Sequence, residues 1–322
     1  MTRYVYLLTA ASLIAAAPAY AEYVPTKPIE IVVHNGPGSG PDVFARAIAS
    51  ALEKEKLVPV RVQVNNKPGG SGSTAMTYIV DRKGDNDLLG AFAMNWISNT
   101  LTLKETGVSV TDMTAISRLV TEPALIIVKT DSPYKTLRDF TDAAKKQPGV
   151  LRQAGGNITA RDNVMRQLLI GQTGADWAFI PFPSGGERLA ALLGGNADIL
   201  MMEPQEVGEQ VRAGAVRVLA QVNETRLDDY KDVPTVKEAG FDVPNVPQGR
   251  GIVGAPGMSK DAVDYYAGVF KKLSTSPSWL EFVKKNQMSQ GYLGPAETAT
   301  FFQTFLQQMR TVLTSAGIPL VR

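Results

Sequence analysis

Four short segments rich in glycine and small polar residues carry the chemistry open to this chain: His34-Asn35-Gly36-Pro37-Gly38-Ser39-Gly40-Pro41-Asp42, Lys67-Pro68-Gly69-Gly70-Ser71-Gly72-Ser73-Thr74, Gly155-Gly156-Asn157-Ile158-Thr159 and Pro183-Ser184-Gly185-Gly186-Glu187. Each stands between a run that reads as a strand and one that reads as a helix. Glycines at such a turn let backbone amides converge. The helix start that follows adds partial positive charge, so an anion can be held without a cationic side chain. Pro41 suits a first helical turn, where no amide hydrogen bond is lost. Taken alone, the first loop reads equally as an anion site or a tight turn. Four such loops, shared between two halves of the chain, imply two facing sets of helix starts that receive a multiply charged anion. One helix terminus supplies about 0.3 to 1 kcal/mol, whereas micromolar affinity needs about 8. Several charge-assisted hydrogen bonds, each worth about 1.5 to 3 kcal/mol, must therefore act together.

Other chemistries fit less well. A dinucleotide loop wants a third glycine where Pro41 stands, and no Gly-Lys-Ser/Thr follows to make a phosphate loop. An exported hydrolase is the competing class, with Ser39, Ser71 or Ser184 as nucleophile. Such a serine needs a base, His34 is the single histidine, and no Gly-x-Ser-x-Gly elbow is present. As a lone histidine ending an apolar strand, His34 reads as either a structural residue or a ligand contact. No cysteine and no second histidine are available for a metal, Asp85-Asn86-Asp87 lacks the rest of a calcium loop, and no cofactor is expected. Arg250, between Gly249 and Gly251, is suited either to bidentate pairing with a carboxylate or to a salt bridge between lobes.

The elements that position these loops follow from the pattern along the chain. Arg3, the apolar run Val5 to Ala17 and Ala19-Tyr20-Ala21 read as a cleaved secretory leader over residues 1–21. The 33 Lys and Arg against 31 Asp and Glu are scattered along the sequence, so no bulk attraction to nucleic acid or membrane is expected. Some 300 residues exceed what one core usually serves, so two lobes are expected. Strand-like runs at 29–34, 58–64 and 88–94 alternate with helical runs at 42–56 and 73–83. The alternation restarts at Leu125 and continues to Val222. This pattern predicts two Rossmann-like α/β lobes built on parallel sheets. The chain should cross between them near Glu122-Pro123 and again between Val222 and Gly251, a stretch punctuated by Pro234, Pro244 and Pro247. A mostly helical tail, with helices at 259–274, 278–287 and 296–316, packs back on the first lobe.

At these residues the chain resembles the receptors of tripartite tricarboxylate transporters, the Bug or TctC-like family. The resemblance runs through Asp42-Val43-Phe44-Ala45-Arg46, Asn66-Lys67-Pro68-Gly69, Ser132 to Leu137, Pro183 to Glu187, Leu192 to Gly195, Asp232 to Gly240 and Ala255-Pro256-Gly257. It implies the type II periplasmic-binding fold, with residues 22–123 and 250–322 as the first lobe and 124–249 as the second. It further implies a monomer that closes on a small organic di- or tricarboxylate and delivers it to a two-component membrane permease. Residue by residue, the first-lobe contacts become Asn35 to Asp42 with Ser71, Gly72, Ser73 and Thr74. The second-lobe contacts become Asn157, Ile158, Thr159, Asp162, Asn163, Ser184, Gly185 and Glu187. Asn35, Pro41 and Asn163 stand where many relatives carry phenylalanine, threonine or tryptophan, and histidine, so citrate specificity does not transfer. A ligand receptor for a sensor kinase would share the site and differ in its partner.

Overall fold

The computed structural model describes residues 23–102, 107–156, 160–182, 184–244, 246, 248–315 and 319–321; the expected leader and the loop residues Asn157, Ile158 and Thr159 lie outside them. Strand β1 (Ile29–Val33) is apolar at every position but Glu30, and its four apolar side chains are fully buried. A strand buried on both faces belongs inside a sheet covered by helices. It lies between β2 (Val62–Asn66) and β3 (Leu88–Phe92), parallel to both. Helices α1 (Gly40–Lys54), α2 (Ser73–Val80) and α3 (Asn95–Thr102) follow these three strands.

The first sheet is completed by β4 (Thr114–Glu122), β10 (Gln248–Gly254) and β11 (Ser289–Leu293), in the order β11-β4-β10-β3-β1-β2. Strand β10 is antiparallel to both β3 and β4. The second sheet has the order β7-β6-β8-β5-β9. It is formed by β5 (Ala124–Lys129), β6 (Arg152–Gly155), β7 (Ala178–Pro181), β8 (Ile199–Met202) and β9 (Val216–Val222). Helices α4 (Leu137–Lys146), α5 (Arg161–Thr173), α6 (Gly185–Leu193) and α7 (Pro204–Arg212) connect its strands. The chain changes sheet at Pro123 and returns between Val222 and Gln248.

Both sheets are therefore mixed, which corrects the expectation of purely parallel ones: β5 runs antiparallel to β8 and β9, as β10 does to its neighbours. The stretch expected to be irregular up to Gly251 ends in β10. The tail expected to be mostly helical carries β11 between α9 (Pro277–Lys285) and α10 (Pro295–Ser315), after α8 (Lys260–Ser274). The second strand, Val62–Asn66, overlaps the expected run 58–64 only at its end and is shifted toward the C-terminus.

Along β5 the apolar side chains alternate with a period of two. Leu125 and Ile127 join a small core with Leu192, Leu200 and Val207, while Ile126 and Val128 join the large core that includes Phe140 and Trp177. Helix α10 packs on β4 and α3 and also reaches α5. It thus touches β4 of the first sheet and α5, a connecting helix of the second.

Candidate functional site

The first loop folds around one carboxylate. Asp42, at the start of α1 and 1% exposed, accepts the Gly38 amide at 2.8 Å, Arg46 Nε at 2.9 Å and Asn66 Nδ2 at 2.9 Å. The Arg46 contact, with the Gly38 and Asn66 hydrogen bonds, overcomes burial and holds the carboxyl down at about 2. Asn66 Nδ2 also donates to the Asn35 carbonyl at 2.7 Å, and the Ser39 hydroxyl donates to the Gly36 carbonyl at 2.7 Å. Asp42 and Ser39 thus shape the loop from behind. His34 and Asn35 are left at its front.

His34 is 6% exposed, packs edge-on against Trp96 with ring centroids 5.5 Å apart, and its Nδ1 has no hydrogen-bond partner among the described residues. Burial, aided by the charge of Arg250, lowers its pKa to about 4, so the ring is neutral at pH 7. No hydrogen bond among the described residues joins it to Ser39, Ser71 or Ser184.

The second loop owes its shape to four consecutive residues at positive φ: Gly69 at +126°, Gly70 at +53°, Ser71 at +53° and Gly72 at +107°. A Cβ at Gly70 would stand 2.0 Å from Ser73 Oγ, so this turn requires glycine there. Ser71 tolerates the left-handed region only because its surroundings hold it. Its carbonyl accepts Asn95 Nδ2 at 3.1 Å and Asn99 Nδ2 at 2.8 Å, two amides one helical turn apart on α3.

On the other sheet the third loop has the same device. Asp162, 5% exposed near the start of α5, accepts the Gly156 amide at 2.7 Å and the Asn163 amide at 2.9 Å. Its nearest cation, Arg188, stands 3.8 Å away, and burial raises its pKa in spite of the amides. At the fourth loop Ser184 caps α6: its hydroxyl accepts the Glu187 amide at 3.3 Å and donates to Glu187 Oε1 at 3.0 Å. Gly185 lies against Glu206, whose Oε2 would be 3.1 Å from a Cβ placed there.

Between the sheets, Glu122 closes the first crossover. Its buried carboxylate pairs with Arg250 Nη2 at 2.9 Å and accepts Gln248 Nε2. The charge of Arg250 is therefore answered from β4, the strand beside its own. Arg161, the first residue of α5, donates Nη1 to the Glu122 main-chain carbonyl.

A cavity of about 550 Å³ opens at this junction, within the size range of small-molecule sites. His34, Asn35 and Gly36 line it together with Pro68, Gly69, Ser71 and Gly72, at the carboxyl ends of β1 and β2. Its further walls are Met94, Asn95, Ser98 and Asn99 beside β3, Ala160 and Arg161 at α5, Gln248 on β10, and Phe305 and Met309 on α10. Of the residues expected from sequence, His34, Asn35, Gly36, Ser71 and Gly72 meet here. Pro37, Gly38, Ser39, Gly40, Asp42, Ser73, Thr74, Asp162, Asn163, Ser184, Gly185, Glu187 and Arg250 do not line it. Sequence reasoning missed Asn95 and Asn99, Arg161, Gln248, Phe305 and Met309. Asn95-x-x-x-Asn99 after a strand end was a usable signal, since that spacing puts two amides on one helix face.

Two mixed α/β sheets joined by two crossovers, with a cavity at strand ends between them, define a two-lobed binding protein of the periplasmic kind. A TctC solute-binding protein from Polaromonas, solved without ligand, superposes with a TM-score of 0.81 at 25% identity, covering 90% of this chain and 99% of that one. A Rhodopseudomonas palustris protein solved with adipate has a TM-score of 0.74 at 20% identity, covering 92% and 99%. A UPF0065 protein of Cupriavidus necator is 28% identical over 313 residues, 96% of this chain and 94% of its own. Residues 44–318 match the model of the tripartite tricarboxylate transporter family receptor, TctC, and the chain belongs to that family.

Proposed function

We propose that this protein is a periplasmic receptor that captures a small organic di- or tricarboxylate in the junction cavity and passes it, on closure, to a tripartite tricarboxylate-type membrane permease. The observation that carries the reading is the front of the two first-lobe loops. Loop backbone at His34 to Gly36 and at Ser71 to Gly72, just ahead of the starts of α1 and α2, lines a cavity of ligand size, with Asp42 behind the first loop and the Asn95–Asn99 pair holding the second from the cavity wall. In this reading one lobe is built on the first sheet and the other on the second, and because β10 starts at Gln248 the return to the first lobe falls there and not at residue 250. Turning about the crossovers brings Ser184, Gly185 and Glu187 of the second lobe toward the ligand held by the first.

The test is a melting-temperature screen of the purified protein against organic acids, followed by small-angle scattering. A ligand at 1,000 times its dissociation constant adds about 4 kcal/mol, which moves the transition by several degrees. The radius of gyration should fall with the same ligand. A set of acids that leaves both measurements unchanged, with a neutral solute that moves them, removes the carboxylate reading.

A further inference from the structure

We propose that Arg161 is the counter-charge for the ligand, its guanidinium receiving a carboxylate whose apolar body lies on Met94, Phe305 and Met309. The inference rests on the carboxylate reading of the cavity and names which acids that cavity takes.

Arg161 differs from the other arginines at the junction. Arg250 is paired with Glu122, and Arg188 lies within reach of Asp162 and Glu206. Arg161 takes part in no ion pair among the described residues. Its Nη1 contacts a main-chain carbonyl, while Nε and Nη2 are buried and have no hydrogen-bond partner there. The carboxylates of Glu203, Glu122 and Asp162 act on it through their field, and none of them forms an ion pair with it. A buried guanidinium with two unmet donors is a costly arrangement, and an anion from outside the chain relieves it. Nε and Nη2 are moreover the two nitrogens of the side-on edge of a guanidinium, whose parallel N–H groups match the two oxygens of a carboxylate. The edge left free is thus the bidentate one.

The apolar part of the lining narrows the ligand further. Met94, Phe305 and Met309 are at most 7% exposed and line the same cavity as Arg161. A hydroxyl or a further carboxylate pressed against thioethers and a phenyl ring would lose water without gaining a partner. The lining also carries Asn35, Ser98 and Gln248, which can meet the polar ends of a ligand, while the apolar part favours an acid with an aliphatic or aromatic body over a densely hydroxylated or tricarboxylic one.

Isothermal titration of the wild-type protein with adipate, hexanoate, benzoate, malate and citrate, and with hexanamide and benzamide as neutral shape controls, tests both halves. Adipate, hexanoate or benzoate should bind at least tenfold tighter than malate and citrate, and the amides should not bind. Arg161→Gln should weaken the best acid by at least about thirtyfold. Arg161→Lys, which keeps the charge and loses the fork, should weaken it by about tenfold and decides the question if the glutamine variant does not fold. Equal binding of an acid and its amide, or unchanged affinity in the arginine variants, overturns the role of Arg161. Tightest binding of citrate or malate overturns the apolar body. Heat from none of the acids overturns the carboxylate reading itself, and this inference with it.

Discussion

The first and third loops use one device in two electrostatic settings. In each, an aspartate near a helix start accepts the amide of a preceding glycine, Asp42 from Gly38 at 2.8 Å and Asp162 from Gly156 at 2.7 Å. Asp42 also has Arg46 in direct contact, and its carboxyl is held low; Asp162 has its cation at 3.8 Å, and burial raises it. The first loop is thus clamped by a charge that favours folding near neutrality. The third is clamped by one that the fold tolerates. Identical sequence logic, an acid placed just after a glycine turn, yields a carboxyl held low in one lobe and one pushed up in the other.

The comparison breaks first at Asp42. Asp42→Asn should cost about 2 to 3 kcal/mol at pH 7 in urea unfolding. Because the folded pKa lies below the unfolded one, the stability is present above the unfolded value near 4 and is lost as the pH falls toward about 2. The gap between wild type and variant should therefore close over that window. A gap independent of pH would show that shape, not charge, holds the loop.

Asn95→Ala with Asn99→Ala removes both donors from the Ser71 carbonyl and should cost about 1 to 2 kcal/mol while weakening carboxylate binding. Unchanged affinity in titration would mean that the loop keeps its left-handed turn unaided. Asp162→Asn should change stability by no more than about 1 kcal/mol at pH 7, since the lost hydrogen bond is offset by removal of a disfavoured charge. Its sign of pH dependence is opposite to that of Asp42, for acidification through the raised folded pKa relieves the wild-type penalty. Ser184→Ala should have the smallest effect, about 0.5 to 1 kcal/mol for an exposed helix cap. A ligand affinity that does not move with it would exclude the α6 start from the closed site.

What could be read in the sequence was local. The β1 run, the glycine turns and the change of sheet at Pro123 follow from periodicity and breakers within a few residues. Strand β10 could not be read in this way. Gln248-Gly249-Arg250-Gly251 has the composition of a loop, yet Gly251 is there because a Cβ would stand 2.0 Å from the Ser117 carbonyl of the facing strand, at a register shift in the ladder. That requirement exists only once β4 is beside it. The cavity shows the same division: its loop residues announce themselves by composition, whereas Phe305 and Met309 reach it from α10 and look like ordinary core residues of an amphipathic helix. Arg161 was hidden for another reason. What sets it apart is that Nε and Nη2 have no partner among the described residues.

The place of β10 in the first sheet also governs when that lobe can exist. It lies between β3 and β4, so until residues 248–254 have been made these two strands present open edges to each other, and β11 is added later still. The second sheet, drawn wholly from residues 124–222, has no such debt to the C-terminus. As the chain is delivered N-terminus first, the second lobe can therefore fold as a contiguous unit while the first waits for its C-terminal strands, and a truncated product will hold one finished lobe beside one with a gap at its centre.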